Sequence, residues 1–182
     1  MTMEIIINNL DEMFEYACEY GHLSDAKLFY KLGANILNSN GLICACGNGD
    51  FEMAEWLYGL GVKDHDNKAF ILACTYGQLE IAKWLYMFGS KDPDNNAFIG
   101  ACQSGHLHIA QWLLSENISE LNDKVFLIAC LWKKIHVIIW LINIKYKSYR
   151  YIRGFKYFHL DIQKLLIDRI PKLRNRINMG CF

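Results

Sequence analysis

Apolar and polar positions along the chain repeat with a period of 28 residues, most plainly in the pairs Ala17-Cys18, Ala45-Cys46, Ala73-Cys74, Ala101-Cys102 and Ala129-Cys130. Self-similarity at a period between about 20 and 50 residues marks a stacked-repeat architecture, in which each unit buries its apolar face against its neighbours. The copies can therefore be compared column by column. Six residues before each alanine stand Asp11, Ser39, Asn67, Asn95 and Asp123, side chains that accept hydrogen bonds from the first turn of a helix. With Phe14, Leu42, Phe70, Phe98 and Phe126 three before the alanine, they predict a short first helix with a narrow apolar stripe.

Four residues after the alanine stand Gly21, Gly49, Gly77 and Gly105, with Lys133 in the fifth copy. Glycine takes positive φ readily and ends a helix there. A second helix follows, with Leu23, Phe51, Leu79, Leu107 and Ile135, then Ala26, Ala54, Ala82 and Ala110, then Trp56, Trp84, Trp112 and Trp140 beside Leu57, Leu85, Leu113 and Leu141. These columns predict a broad buried face. The helix should end at Gly33, Gly61, Gly89 and Asn117, residues that accept the left-handed conformation.

The run Gly105-His106-Leu107-His108-Ile109-Ala110-Gln111-Trp112-Leu113, preceded by Ala101-Cys102, resembles the second half of an ankyrin repeat. The copies at Ala17, Ala45 and Ala73 match it nearly as well. Composition and the Trp-Leu variant also resemble the ankyrin-like proteins of giant amoeba-infecting DNA viruses. Ankyrin units run to about 33 residues. The shorter period leaves no room for their projecting hairpin. The expected fold is an all-α, ankyrin-like helical solenoid of five 28-residue helix-turn-helix repeats with stub loops and a degenerate C-terminal cap.

The expected single domain comprises an N-terminal cap over 1–10, repeats over 11–38, 39–66, 67–94, 95–122 and 123–150, and a degenerate repeat and cap over 151–182. Phe158 to Leu166 realigns with the second-helix pattern, three residues early. At 53% hydrophobic content the chain has ample material for a core. The start lacks a basic leader, and the longest apolar run, Ile135 to Ile144, is shorter than the ~20 residues of a membrane span. A cytoplasmic or nuclear location is expected, with no membrane partner.

Charge adds what total composition hides. Residues 1–130 hold 17 acidic and 7 basic side chains, whereas residues 131–182 hold 2 and 12. The segment Lys145 to Lys156, with Lys145, Lys147, Arg150, Arg153 and Lys156 between aromatics, has the composition of a surface that neutralises phosphates and stacks bases. Nucleic acid or an acidic partner is the alternative reading there. A snorkelling, solvated cap is the bland one.

The cysteine column argues for small buried thiols, since residues one repeat apart sit at about the 8–10 Å helix spacing, beyond the ~7 Å reach of a disulfide. Cys44-x-Cys46 lacks the second pair of a zinc site. His22, His106 and His159 share the column after the repeat glycine, where the resemblance implies a structural bond to loop backbone. No catalytic motif is present, so neither a catalytic residue, a metal nor a cofactor is expected.

The columns that vary between copies carry the partner expectation. The resemblance places Glu19, Tyr20, Asn48, Thr75, Tyr76, Gln103, Ser104 and Trp132 on a concave binding face, with loop tips Asp64, His65 and Asp92. A protein partner, a host factor if the chain is viral, is expected to rest on the aromatic anchors Tyr20, Tyr76 and Trp132. Leu160 to Leu173 has an apolar rhythm resembling an F-box-like tail, which leaves a recruiting adaptor as a further alternative. Oligomeric state is not legible.

Overall fold

The computed structural model describes residues 3–37, 40–144, 157–170 and 173, with side chains from Asn9 onward. Among the described residues the fold is all-α. Helices α1 (Met3–Glu19), α2 (Leu23–Lys31), α3 (Gly41–Asn48), α4 (Phe51–Gly59), α5 (Lys68–Thr75), α6 (Leu79–Met87), α7 (Asn96–Ser104), α8 (Leu107–Ser115), α9 (Asp123–Leu131), α10 (Ile135–Ile144) and α11 (Leu160–Arg169) follow in order. The chain divides into two compact units, Met1–Ala97 and Phe98–Phe182.

In the first unit α1 packs on α2 and α3, α3 on α4 and α5, and α5 on α6. First helices thus stack on first helices, each carrying a second helix antiparallel beside it. The stacked seam is the repeated stripe: Phe14, Ala17 and Cys18 on α1, Leu42, Ala45 and Cys46 on α3, and Phe70, Ala73 and Cys74 on α5 are all buried. Alanine and cysteine keep the helices close while the larger residue fills the remaining gap. Burying each phenylalanine contributes about 1.5–3 kcal/mol.

In the second unit α9 packs on α10, and the same stripe recurs as Phe98, Ala101 and Cys102 and as Phe126, Ala129 and Cys130. Near its end α11 buries Ile162 and Leu166, with Phe158 and Ile170 flanking.

The glycines act as expected. Gly21, Gly49, Gly77 and Gly105 have φ of 74°, 85°, 89° and 91°, and the residue after each donates its N–H back five positions, as in Asp50 N to Ala45 O at 2.9 Å. That bond satisfies a carbonyl the helix end would otherwise leave open. Lys133 takes the same conformation at φ 55°.

Three expectations need correction. Asp11 does not begin a helix, because α1 already runs from Met3. Asn67 precedes α5 in the left-handed region without capping it by its side chain. Instead Asp11 Oδ1 accepts from Asn35 N at 2.6 Å and Asn67 Oδ1 from Lys91 N at 2.7 Å, so this column ties a copy to the loop that ends the same copy. Capping of α5 falls to Asp64, whose Oδ1 accepts from Ala69 N at 2.9 Å and Oδ2 from Phe70 N at 3.0 Å.

The second-helix tryptophans Trp56, Trp84, Trp112 and Trp140, finally, are half-buried and not core. Met53, Ala54 and Leu57, and likewise Ile81, Ala82 and Leu85, occupy the buried stripe of the second helices. Each indole lies on its flank, and the first residue of the helix lies further round, with Phe51 and Ile135 exposed. Trp84 meets the rings of Phe51, Tyr58 and Phe88 at 5.4, 5.1 and 5.5 Å, while Trp56 meets Tyr30 at 6.0 Å. An aromatic ladder therefore joins neighbouring second helices.

Candidate functional site

The C-terminal ends of the first helices and the turns behind them form a rim whose residues differ from copy to copy. In the first unit this rim is continuous. Tyr20, 57% exposed, packs its ring 4.4 Å from that of Tyr16. Next to it Asn48 donates from Nδ2 to the Glu19 carbonyl at 2.6 Å, linking the ends of α1 and α3. Tyr76, 61% exposed, lies over Gly47, where an added Cβ would stand 3.4 Å from its Cδ2. Gln78 reaches from the same turn with Nε2 3.4 Å from the Gly47 carbonyl.

Thr75 is tied inward, its hydroxyl donating to the Ile71 carbonyl at 2.8 Å. The rim is acidic. Glu19 and Glu15 lie close enough to Cys44 to add to the burial that raises its thiol pKa, and Glu15 Oε1 also accepts from Asn40 N at 3.3 Å. The exposed features are thus two separated tyrosines with carboxylates at one end.

In the second unit Gln103 and Ser104 are half-buried at the end of α7, while Trp132 is 57% exposed at the end of α9. Lys134 lays its stem across Gly105, with Cδ 3.1 Å from where a Cβ would stand. Lys145, Lys147, Arg150, Arg153 and Lys156 lie outside the described residues.

The loop tips divide. His65 is exposed, but Asp92 is 5% exposed and its Oδ1 accepts from Ala97 N at 2.8 Å. Asp64 is spent in the same way and also accepts from the Ser90 hydroxyl at 3.0 Å. These two carboxylates are helix caps. Their repetition 28 residues apart was the available clue, because a column that repeats belongs to the scaffold.

Burial pushes the thiols of Cys18, Cys102 and Cys130 up to about 12 and raises Cys46 and Cys74 as well, which removes the thiolate that nucleophilic attack requires. No group of three or more histidine, cysteine, aspartate or glutamate side chains is placed to hold a metal ion among the described residues. No helix there is long and apolar enough to cross a membrane. His22 and His159 precede α2 and α11 without a side-chain cap bond. His159 faces Asp161 instead, at 3.2 Å.

Residues 14–97 match the family model described as ankyrin repeats (3 copies). The match covers the copies of the first unit, where the glycine turns and the Ala-Cys seam are most regular. No curated protein matches the chain. Ankyrin repeats are generally protein-interaction modules and are typically non-enzymatic.

Proposed function

We propose that the protein is a binding scaffold that engages a protein partner through the first-helix rim, with Tyr20 and Tyr76 as anchors. The observation that carries this reading is that two large aromatic side chains stand mostly exposed on one continuous rim, joined through Glu19, Asn48 and Gly47. Exposed tyrosine offers large contact area at low conformational cost and is enriched at binding hot spots. Acidic neighbours favour a partner segment that carries lysine or arginine. Trp132, with Gln103 and Ser104, would give the second unit the equivalent surface. For a virus-encoded chain the partner would be a host protein.

The test is capture of proteins from lysate by the purified chain, with and without nuclease, against the Tyr20→Ala/Tyr76→Ala double variant. Expected is a partner that survives nuclease and binds the variant at least about tenfold more weakly, the loss two hot-spot tyrosines impose. Full retention by a folded variant overturns the assignment. A second reading, nucleic acid on the basic end, is favoured by the exposed Trp132 beside Lys133 and Lys134. Its distinguishing result is binding that vanishes with nuclease and falls steeply with salt.

A further inference from the structure

Behind the second helices of the first unit lies a pocket of about 420 Å³, formed where the loop after α4 meets the loop after α6. Its lining includes Tyr58, Lys63, Asp64, His65, Phe88 and Lys91. Hydrogen bonding in this pocket is unbalanced. Asp64, the carboxylate in its lining, already accepts from Ala69 N, Phe70 N and the Ser90 hydroxyl. The Asn67 side-chain oxygen accepts from Lys91 N. What the lining still offers is mostly donors: the ammonium groups of Lys63 and Lys91 and the imidazole of His65. Asp66 nearby is engaged by Lys68 at 2.6 Å.

The donors are also partly arranged in advance. Lys63 Nζ sits 3.3 Å from the centre of the Tyr58 ring and donates to the Tyr58 carbonyl at 3.2 Å, so a flexible side chain is already positioned and binding loses less entropy. Phe88 lies 4.9 Å from Tyr58 and remains 57% exposed, giving an aromatic wall that the core does not use. Comparison down the columns isolates the feature. Lys63 and Lys91 align with Asn35, Ser119 and Lys147, His65 with Leu37, Pro93, Leu121 and Tyr149, and Phe88 with Leu32, Leu60, Glu116 and Ile144. Among the described residues, two lysines, a histidine and an exposed phenylalanine come together where copies two and three meet. Residues 1–97 hold 14 acidic and 6 basic side chains, so this cationic pocket stands out against an acidic unit.

We propose that the pocket binds an aryl oxyanion, a flat apolar ring bearing a phosphate or carboxylate, with the ring against Tyr58 and Phe88 and the oxyanion on Lys63, Lys91 and His65. The oxyanion supplies the acceptors the lining lacks, and charge-assisted bonds to two ammonium groups are the strong kind. The ring covers the exposed phenylalanine. Such a group can be a free small molecule or the phosphotyrosine of a peptide, and both present the same chemistry to the pocket.

The test is a chemical-shift titration of the isotope-labelled full chain with phenyl phosphate, inorganic phosphate and phenol. Saturable shifts from phenyl phosphate in residues 58–67 and 88–93 are expected, with either half-ligand about tenfold weaker or more. The Lys63→Gln and Lys91→Gln variants should each weaken binding about tenfold, the loss of one charge-assisted bond, while Lys83→Gln leaves it unchanged. Absence of saturation, equal binding of inorganic phosphate, or an equal loss in Lys83→Gln overturns the proposal. A phosphotyrosine peptide that binds more tightly than phenyl phosphate supports the site and identifies the source as protein; one that binds no more tightly supports it with a free small molecule. Because the rim tyrosines line no part of the pocket, Tyr20→Ala/Tyr76→Ala should leave the titration unchanged, and failure of either reading is seen separately.

Discussion

Between α3 and α4 the residue in the left-handed region is Gly49, at φ 85°, whereas between α9 and α10 it is Lys133, at φ 55°. The closing hydrogen bonds are nearly identical, Asp50 N to Ala45 O at 2.9 Å and Lys134 N to Ala129 O at 3.0 Å. The α3–α4 turn thus uses the residue that the backbone prefers, and the α9–α10 turn obtains the same geometry from one that opposes it by about 1–2 kcal/mol. Capping shows a similar contrast. Asp64 satisfies two N–H groups of α5 and the Ser90 hydroxyl, while α9 is capped by Asn122, whose side chain accepts from Val125 N at 3.1 Å. Turn geometry is therefore imposed by the packed helices on either side, and local residue choice adjusts how much strain remains.

The comparison breaks most sharply at Gly49. Its φ disfavours any side chain, and an added Cβ would fall 2.7 Å from the Gln78 Oε1 and 2.8 Å from its Cδ. Gly49→Ala should destabilise by about 2–3 kcal/mol, the sum of left-handed strain and the displacement of Gln78. In thermal unfolding that is a fall of roughly 4–12 °C. A loss below half a kcal/mol would mean that the glycine column is set by something other than conformation.

Capping should follow in size. Asp64→Ala leaves two helix N–H groups and a hydroxyl without their acceptor, and a loss of about 2 kcal/mol is expected. Asn122→Ala removes one bond and should cost about 1 kcal/mol. Denaturant midpoints of the two variants measure the contrast directly. Equal losses would show that the second and third bonds of Asp64 add nothing.

Much of this was legible because it repeats. The glycine turns recur in four copies and the Ala-Cys pair in five, so each copy reports the same requirement independently. Asn67 was misread because an asparagine before a helix can cap it or reach elsewhere, and its positive φ turns the side chain away toward Lys91 N. The tryptophans were misplaced for a different reason. An indole at the flank of a stripe already filled by Met53, Ala54 and Leu57 has no interior volume left to enter. Of the expected contact residues, Tyr20 and Tyr76 stand exposed as their variable columns implied, but Asp92 is a buried cap. The pocket at Lys63 and Lys91 was not legible at all, since it exists only where two loops 28 residues apart meet in space.

The smallest effect is the most informative about Lys133. Lys133→Gly relieves about 1–2 kcal/mol of left-handed strain but gives the unfolded chain extra freedom worth about 0.4–1 kcal/mol. The expected net is stabilisation by about 0.5 kcal/mol, a rise of 1–2 °C in the thermal midpoint. Retained strain of this kind clusters at positions whose side chain is needed for something other than stability. Lys133 is exposed beside Trp132, so the same variant should weaken any salt-sensitive binding to the second unit while the fold becomes firmer. Stability that falls instead would show that the lysine makes a compensating contact, and the turn would then be an alternative solution to the glycine turn with no residual strain for a partner to explain.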